Sequence, residues 1–518
     1  MNGSGFSRRD FLKGSAAATA TAMTPGWALA QATKGQAQAK GQFVARIERD
    51  IINIDPANRI SAIEGNICRA TYQTLARFKP GSLEWESDAA ATIKQVDANT
   101  IEFSLKPNQK FAGGYGTMTA EDVQFSFMRF IDPAKKVANA GDWMQLDKVE
   151  VTGPLSGRIL LKTPAPALWK TTICDASGCI VSKKGYDALG DKIATQAIGS
   201  GAYAQREWVP GQRFVMAANG DYSGPKPAFG EIELRPITDD KAADAAFRGG
   251  ETDFTRVSLS SFSEISKLPD AATVRMDGMD TIWIGMNVQK APLDNIKVRQ
   301  AIRMGIDVNA VLTAAWAGQV KRAKTLIPPQ ISGSWNGAPL YARSVASAQR
   351  LLKEAGVEGF KTRLTIMNTE THQAAAKVVQ ANLAEIGIEC AIQALDSDAY
   401  YSAGKDPGGK DLELSLQTLK GKFDPSFYTQ WFTTAQIGMW NWQRWSNAEF
   451  DKLSARAAQT NNPTKRMDAF VQMQQLMDAS AAFVWLTHDT LTFASRSWLR
   501  PALLPNGNDW QLPFFRQV

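Results

Sequence analysis

The residues able to do chemistry in this 518-residue chain are few and poorly spaced for catalysis. His372 and His488 are its only histidines, and neither has a second histidine four residues away, which excludes a helical His-x-x-x-His zinc site. No Gly-x-Ser-x-Gly elbow occurs. Gly404, Gly409 and Lys410 approach the spacing of a phosphate-binding loop, but Asp411 stands where a magnesium-holding Ser or Thr is needed. Gly199, Gly201 and Ala204 have dinucleotide-loop spacing. The residues after them, Tyr203–Trp208, Pro210-Gly211 and Arg213–Ala217, read as a hairpin rather than the long helix such a loop must open. No cofactor and no metal are called for. What remains is binding chemistry. Lys420 and Lys422 flank Gly421 just after Gln417 and Thr418; a carboxylate there would gain charge-assisted hydrogen bonds and an ammonium would be repelled. The alternative is that both lysines point to solvent, the commonest state of the residue. Further on, aromatic and amide residues concentrate in Trp440-Asn441-Trp442-Gln443-Arg444-Trp445. In extended chain Trp440 and Trp442 face the same way and could stack on a flat or sugar-like ligand.

These residues need a large framework, and the composition supplies one. With 44% hydrophobic and 21% charged residues the chain reads as globular, and its length calls for more than one core. The net charge of +7 is dispersed, without the basic stripe of a nucleic-acid binder. The central stretch Thr281–Asp307 reads as strand, loop, helix, helix. Ile282, Trp283, Ile284 and Met286 form the strand, and Asp294 or Asn295 caps a helix whose apolar face carries Ile296, Ala301, Ile302 and Ile306. A second helix starts at Asp307. Thr119 with Asp122 approximates a capping box. Arg363–Met367, Thr371–Ile386 and Ile388–Ala394 read as strand, helix, strand, hence a right-handed βαβ unit. A helix opening at Pro463 carries Met467, Met473 and Met477, read as core, and Phe483–Leu486 reads as the last strand.

The N-terminus carries an address. Arg8-Arg9-Asp10-Phe11-Leu12-Lys13, an Ala/Thr run and Ala28-Leu29-Ala30 resemble a twin-arginine export signal cleaved near Ala30. No other run reaches the length of a membrane span. Cys174 and Cys179 could close a small loop in an oxidising compartment, or all four cysteines could be buried thiols.

Several segments occur in the order found in one family. "GMNVQKAPLDNIKVRQAIRMGID", "TAEDVQFS", "IGSGAY…EWVPGQ", "RGGETD" and "NWQRWSNAEFDKL" resemble the extracytoplasmic solute-binding proteins of peptide-type ABC importers. The resemblance runs from about Phe43 to Arg496. It implies an α/β fold of the type II periplasmic-binding-protein kind, two lobes with a hinge and an extra subdomain in the first lobe. It divides the chain into a signal peptide (1–30), a flexible start (31–42), lobe I (43–281), lobe II (282–487) and a C-terminal return to lobe I (488–518). It implies a binding protein rather than an enzyme: a periplasmic monomer that captures a small molecule or short peptide for an ABC permease and its ATPase subunits. A sensory role, or an oligosaccharide or opine ligand, would use the same fold. By the same resemblance Tyr72 stands at the cleft rim, and Asn441 and Arg444 belong to a family motif beside the ligand. Aligning Asp424-Pro425 on the family's Asp-Pro puts Gly421 where peptide binders carry an acid for the ligand's α-ammonium, and Thr418 at the usual Trp. The expected ligand site is therefore Tyr72, Gln417, Thr418, Lys420, Lys422, Trp440, Asn441, Trp442 and Arg444, with the local charge reversed toward acidic or amine-free solutes. Should the cleft close on a peptide, Asp396 or Asp398 could supply the missing acid.

Overall fold

The computed structural model describes residues 41–357 and 359–518. The signal peptide, its cleavage point and the flexible start to Lys40 lie outside the described residues.

Two large sheets organise the chain. The first has seven strands in the order 271–277, 490–496, 254–256, 42–47, 231–236, 213–218, 203–209. The second has five, in the order 389–395, 361–367, 414–419, 281–286, 483–487. Each has its own core. Phe43, Phe214, Phe254 and Phe493 fill the first together with Trp510, Leu512 and Phe515 from the C-terminus. Ile284, Ile302, Leu364, Val379 and Leu416 fill the second. A four-stranded sheet (90–95, 100–105, 156–161, 146–153) with helix Ala120–Ile131 packed on it forms a further layer. That helix starts on the Thr119–Asp122 capping box. Strands Lys361–Met367 and Glu389–Leu395 are parallel and joined by helix Glu370–Glu385, as the pattern of apolar residues required.

The central stretch folds as strand Thr281–Met286 and helices Ile296–Gly305 and Val308–Trp316, with Asn295 and Asp307 as caps. The helix is rotated from the expected face. Ile296 is exposed, whereas Arg299 is buried and donates to the carbonyls of Leu293, Asp294 and Ser480. An arginine can take such a place because its fork satisfies three carbonyls that would otherwise be orphaned. Phe483–Thr487 is not the last strand: Thr490–Arg496 follows and returns to the first sheet. All four cysteines are buried free thiols, so Cys174 and Cys179 do not close a loop.

The chain passes between the large sheets twice, through Gly278-Met279-Asp280 and through His488-Asp489. The two crossings touch. Gly278 N–H donates to Asp489 O at 3.1 Å, and a Cβ on Gly278 would stand 2.6 Å from His488 O, so only glycine fits. His488 Nδ1 lies 3.2 Å from Thr281 Oγ1, whose hydroxyl donates to Leu326 O at 2.7 Å. That leaves Thr281 Oγ1 to accept from the imidazole. Burial pulls the His488 pKa from 6.5 down to about 3. An unfolded chain would take up a proton near pH 6.5 while the folded one does not. Stability is thus full above that pH and falls as pH drops, by about 1.4 kcal/mol per unit. Replacing His488 with Asn is expected to shrink the loss of stability between pH 7.5 and pH 5 by about 2 kcal/mol in urea melts. An unchanged pH dependence would show that His488 is protonated in the folded state.

Candidate ligand-binding site

Strands Thr281–Met286 and Leu414–Leu419 are antiparallel neighbours with Trp283 opposite Gln417 and Ile282 opposite Thr418. Side chains alternate across a strand, so Trp283 and Gln417 share one face. They form the floor of a cavity of about 320 Å³. Its walls are built from four tryptophans (Trp283, Trp431, Trp440, Trp442), two tyrosines (Tyr400, Tyr401) and two phenylalanines (Phe427, Phe432). Gln417, Thr418, Leu419 and Lys420 complete the lining, which contains no carboxylate. Helix Ser397–Ala403, capped by Asp396, presents the two tyrosines; Tyr400 is fixed by its hydroxyl donating to Leu416 O at 2.5 Å. The rings meet at steep angles, Trp431 on Trp440 at 68° and Tyr400 on Trp442 at 62°. Such edge-to-face contacts are the favoured way for aromatic rings to pack without stacking on one another.

The structure brings five of the expected residues together here: Gln417, Thr418, Lys420, Trp440 and Trp442. Trp440 and Trp442 do so on a turn, not in extended chain, since Trp442 N–H donates to Trp440 O at 3.0 Å. The other four stand elsewhere. Tyr72 is buried in a small cluster with Cys68, Cys179 and Ile198, and its hydroxyl oxygen accepts from Ile198 N–H. Asn441 is fully buried and donates to the carbonyls of Phe432, Thr433 and Trp445, which holds the aromatic turn together. Arg444, at φ 52°, pairs with Asp406 at 2.7 Å and donates to Gln289. Lys422 lies over the Phe427 ring and reaches toward Asp142 at 3.9 Å. Beside it Phe423 meets Phe78 edge to face, joining the second sheet's side to the first's.

Lys420 does not stand there unopposed. Lys420 Nζ is 2.5 Å from Asp280 Oδ2, and the other oxygen of Asp280 accepts Gly421 N–H at 3.0 Å. Asp280 lies in the first crossing and neutralises the exposed Lys420. Asp396 is spent as a helix cap, and neither it nor Asp398 lines the cavity. Sequence reasoning also passed over Tyr400, Tyr401 and Phe427. Of the other wall residues, Trp283 had a readable signal in its place on a strand beside Gln417. Among the described residues no group of three or more His, Cys, Asp or Glu could hold a metal ion.

Two sheets joined by paired crossings, with an aromatic cavity beside one of them, define a two-lobed solute receptor. The comparisons place it. The chain matches the bacterial extracellular solute-binding proteins, family 5 (middle region), over residues 85–439, and a twin-arginine translocation signal over residues 5–25. It belongs to that family, with the type II periplasmic-binding-protein fold, and is the exported, periplasmic solute-binding component of an ABC importer. It is 24% identical to the glutathione-binding protein GsiB of Salmonella paratyphi A over 507 residues, 91% of this chain and 96% of that one. Among solved structures, HbpA2 from Haemophilus parasuis superposes with a TM-score of 0.85 at 22% identity, covering 92% of this chain and all of that one. The periplasmic binding protein DppA from Helicobacter pylori, in complex with the peptide STSA, superposes with a TM-score of 0.74 at 24% identity, covering 92% and 98%.

Proposed function

We propose that this protein captures a small acidic or amine-free solute, peptide-like compounds included, in the aromatic cavity, and hands it to a permease and its ATPase subunits as a monomer, without turnover. The observation that carries this reading is the lining itself: eight aromatic rings, no carboxylate, and Lys420 at the end of the strand. An apolar, concave pocket with a few placed polar groups is the usual form of a small-molecule site. A ligand ammonium would meet no acid in these walls. Glutathione for GsiB and a short peptide for DppA support a peptide-like solute. We take residues 43–281 and 282–487 as the lobes, with 488–518 returning to the first; the core proper to each large sheet and the tail packed on the first sheet support that division, and a third core, with Phe78 and Phe127 beside Phe423 and Phe432, joins the two.

The test is a thermal-shift panel on the mature protein, with glutathione and other acidic peptides, opines, neutral oligosaccharides and basic peptides. A ligand that binds only the folded state raises the melting temperature by mass action. Acidic or amine-free compounds are expected to do so. Lys420→Ala is expected to weaken them by about two- to fivefold, since the lysine is exposed and already paired. Stabilisation by basic peptides alone would sink the reading.

A further inference from the structure

The C-terminal tail helps to form a groove that has no part in the aromatic cavity. Residues 499–500 and 516–517 pair antiparallel, with Arg500 directly opposite Arg516. The tail is held firmly: Phe515 is buried and stacks on Phe43 at 5.3 Å, and Val518 N–H donates to Trp498 O at 3.0 Å. This tail, the edge strand Ala271–Asp277 and Lys226 line a groove of about 490 Å³. Its apolar lining includes Val274, Met276, Leu503, Phe514 and Phe515. Its charged lining is Lys226, Arg500 and Arg516, all exposed, with no carboxylate among them. Among the described residues none of these three cations makes an ion pair or hydrogen bond through its side chain.

Like charges directly opposite one another on paired strands cost stability, and the fold alone gives no reason to keep two arginines there. Cross-strand partners have Cβ atoms about 4.5–5.5 Å apart, so both guanidinium groups can reach one oxyanion. The planar fork of each matches carboxylate or phosphate oxygens. We infer that the groove is a second binding site, for an anionic amphiphile. A carboxylate or phosphate head sits between Arg500 and Arg516, with Lys226 adding charge, and an apolar chain lies on Val274 and Met276. Charge complementarity fixes the sign of the ligand. The apolar lining fixes the rest, because a bare anion would leave Val274, 36% exposed on an edge strand, uncovered. Every lining residue lies outside 282–487, so this site does not depend on solute capture in the aromatic cavity.

The experiment is calorimetry on the full mature chain with octanoate and octyl phosphate, each below its micelle concentration, against 1-octanol, octylammonium and acetate. The two anionic amphiphiles are expected to bind about tenfold tighter than any of the other three, since only they satisfy both the arginines and the apolar lining. Arg500→Gln and Arg516→Gln are each expected to weaken octanoate by about three- to tenfold. Val274→Asp, which sets a negative charge beside the chain, is expected to abolish binding. Melting of the ligand-free variants separates binding from structure: Arg500→Gln relieves the repulsion and is expected to leave the melting temperature unchanged or raise it. A fall would mean that the arginines serve the fold, and would overturn the inference. So would acetate binding as tightly as octanoate, which marks a plain anion patch, or octanoate binding untouched by the glutamine variants. Flotation with vesicles of anionic phospholipid, without binding of either dispersed amphiphile, would make the groove a membrane-docking surface and would likewise overturn it.

Discussion

Asp424→Ala is expected to destabilise the protein by about 3–5 kcal/mol, because it leaves a buried guanidinium without its counter-charge. Asp424 and Arg466 are 3% and 6% exposed and meet as a fork, Nη1 to Oδ2 at 2.8 Å and Nη2 to Oδ1 at 2.7 Å. Ser426 adds N–H and O–H donors to the same carboxylate, and Arg466 Nε donates to Ala457 O. Burial alone would raise the pKa of Asp424, but Arg466 and Ser426 outweigh it and hold the acid below its ordinary 3.8. The sign follows: this contribution is present above the ordinary carboxylate value and is lost only as pH falls through the lower, folded one. The pair fixes the loop that delivers Phe423 to Phe78 and Phe427 to the aromatic cavity, so, if that cavity holds the solute as proposed, solute binding is expected to weaken along with stability. Denaturant melts at pH 7 would decide it; a loss under about 1 kcal/mol would mean that the site relaxes to let water reach Arg466.

The second large effect concerns Gly421. Its backbone passes so close to the first crossing that a Cβ would stand 2.1 Å from Met279 O and 2.4 Å from the Tyr428 hydroxyl oxygen. That hydroxyl itself donates to Met279 O at 2.9 Å, so neither neighbour is free to swing away. Gly421→Ala is expected to cost about 1–3 kcal/mol by overpacking, and Gly421→Asp more, with loss of the Asp280 contact to the Gly421 N–H. An acidic anchor for a ligand ammonium is therefore not to be installed by placing an acid at this position. A Gly421→Asp variant with undiminished melting temperature would show that the crossing yields where the structure has it packed.

Much of the fold could be read from the chain because its signals are local. Caps at Thr119, Asn295 and Asp307 and the βαβ unit over 361–395 announce themselves within a few residues. Thr490–Arg496 escaped because its alternation is short: only Leu491 and Phe493 stand as apolar residues between threonines before Ala494-Ser495-Arg496. The site was half legible. Clustered tryptophans and the Gln417-Thr418 strand end pointed to it, although the turn that places Trp440 and Trp442 had a different geometry from the one expected. Asn441 and Arg444 share the motif but serve the backbone and an ion pair with the exposed Asp406. Asp280 could not be found: its partner Lys420 is 140 residues away, and nothing local marks a carboxylate that will meet a lysine across a crossing.

The sealed thiols bear on the order of events in the cell. Burial pushes Cys68 up to about 12 and raises Cys174, Cys179 and Cys390 as well, so none offers a thiolate at neutral pH. The twin-arginine route carries chains that have already folded in the reducing cytoplasm. By the time this protein meets the oxidants outside, its sulfurs are behind closed cores, unable to trade partners with one another or with other secreted chains. Its maturation needs no oxidative quality control, and it should emerge from export as active under reducing conditions as under oxidising ones.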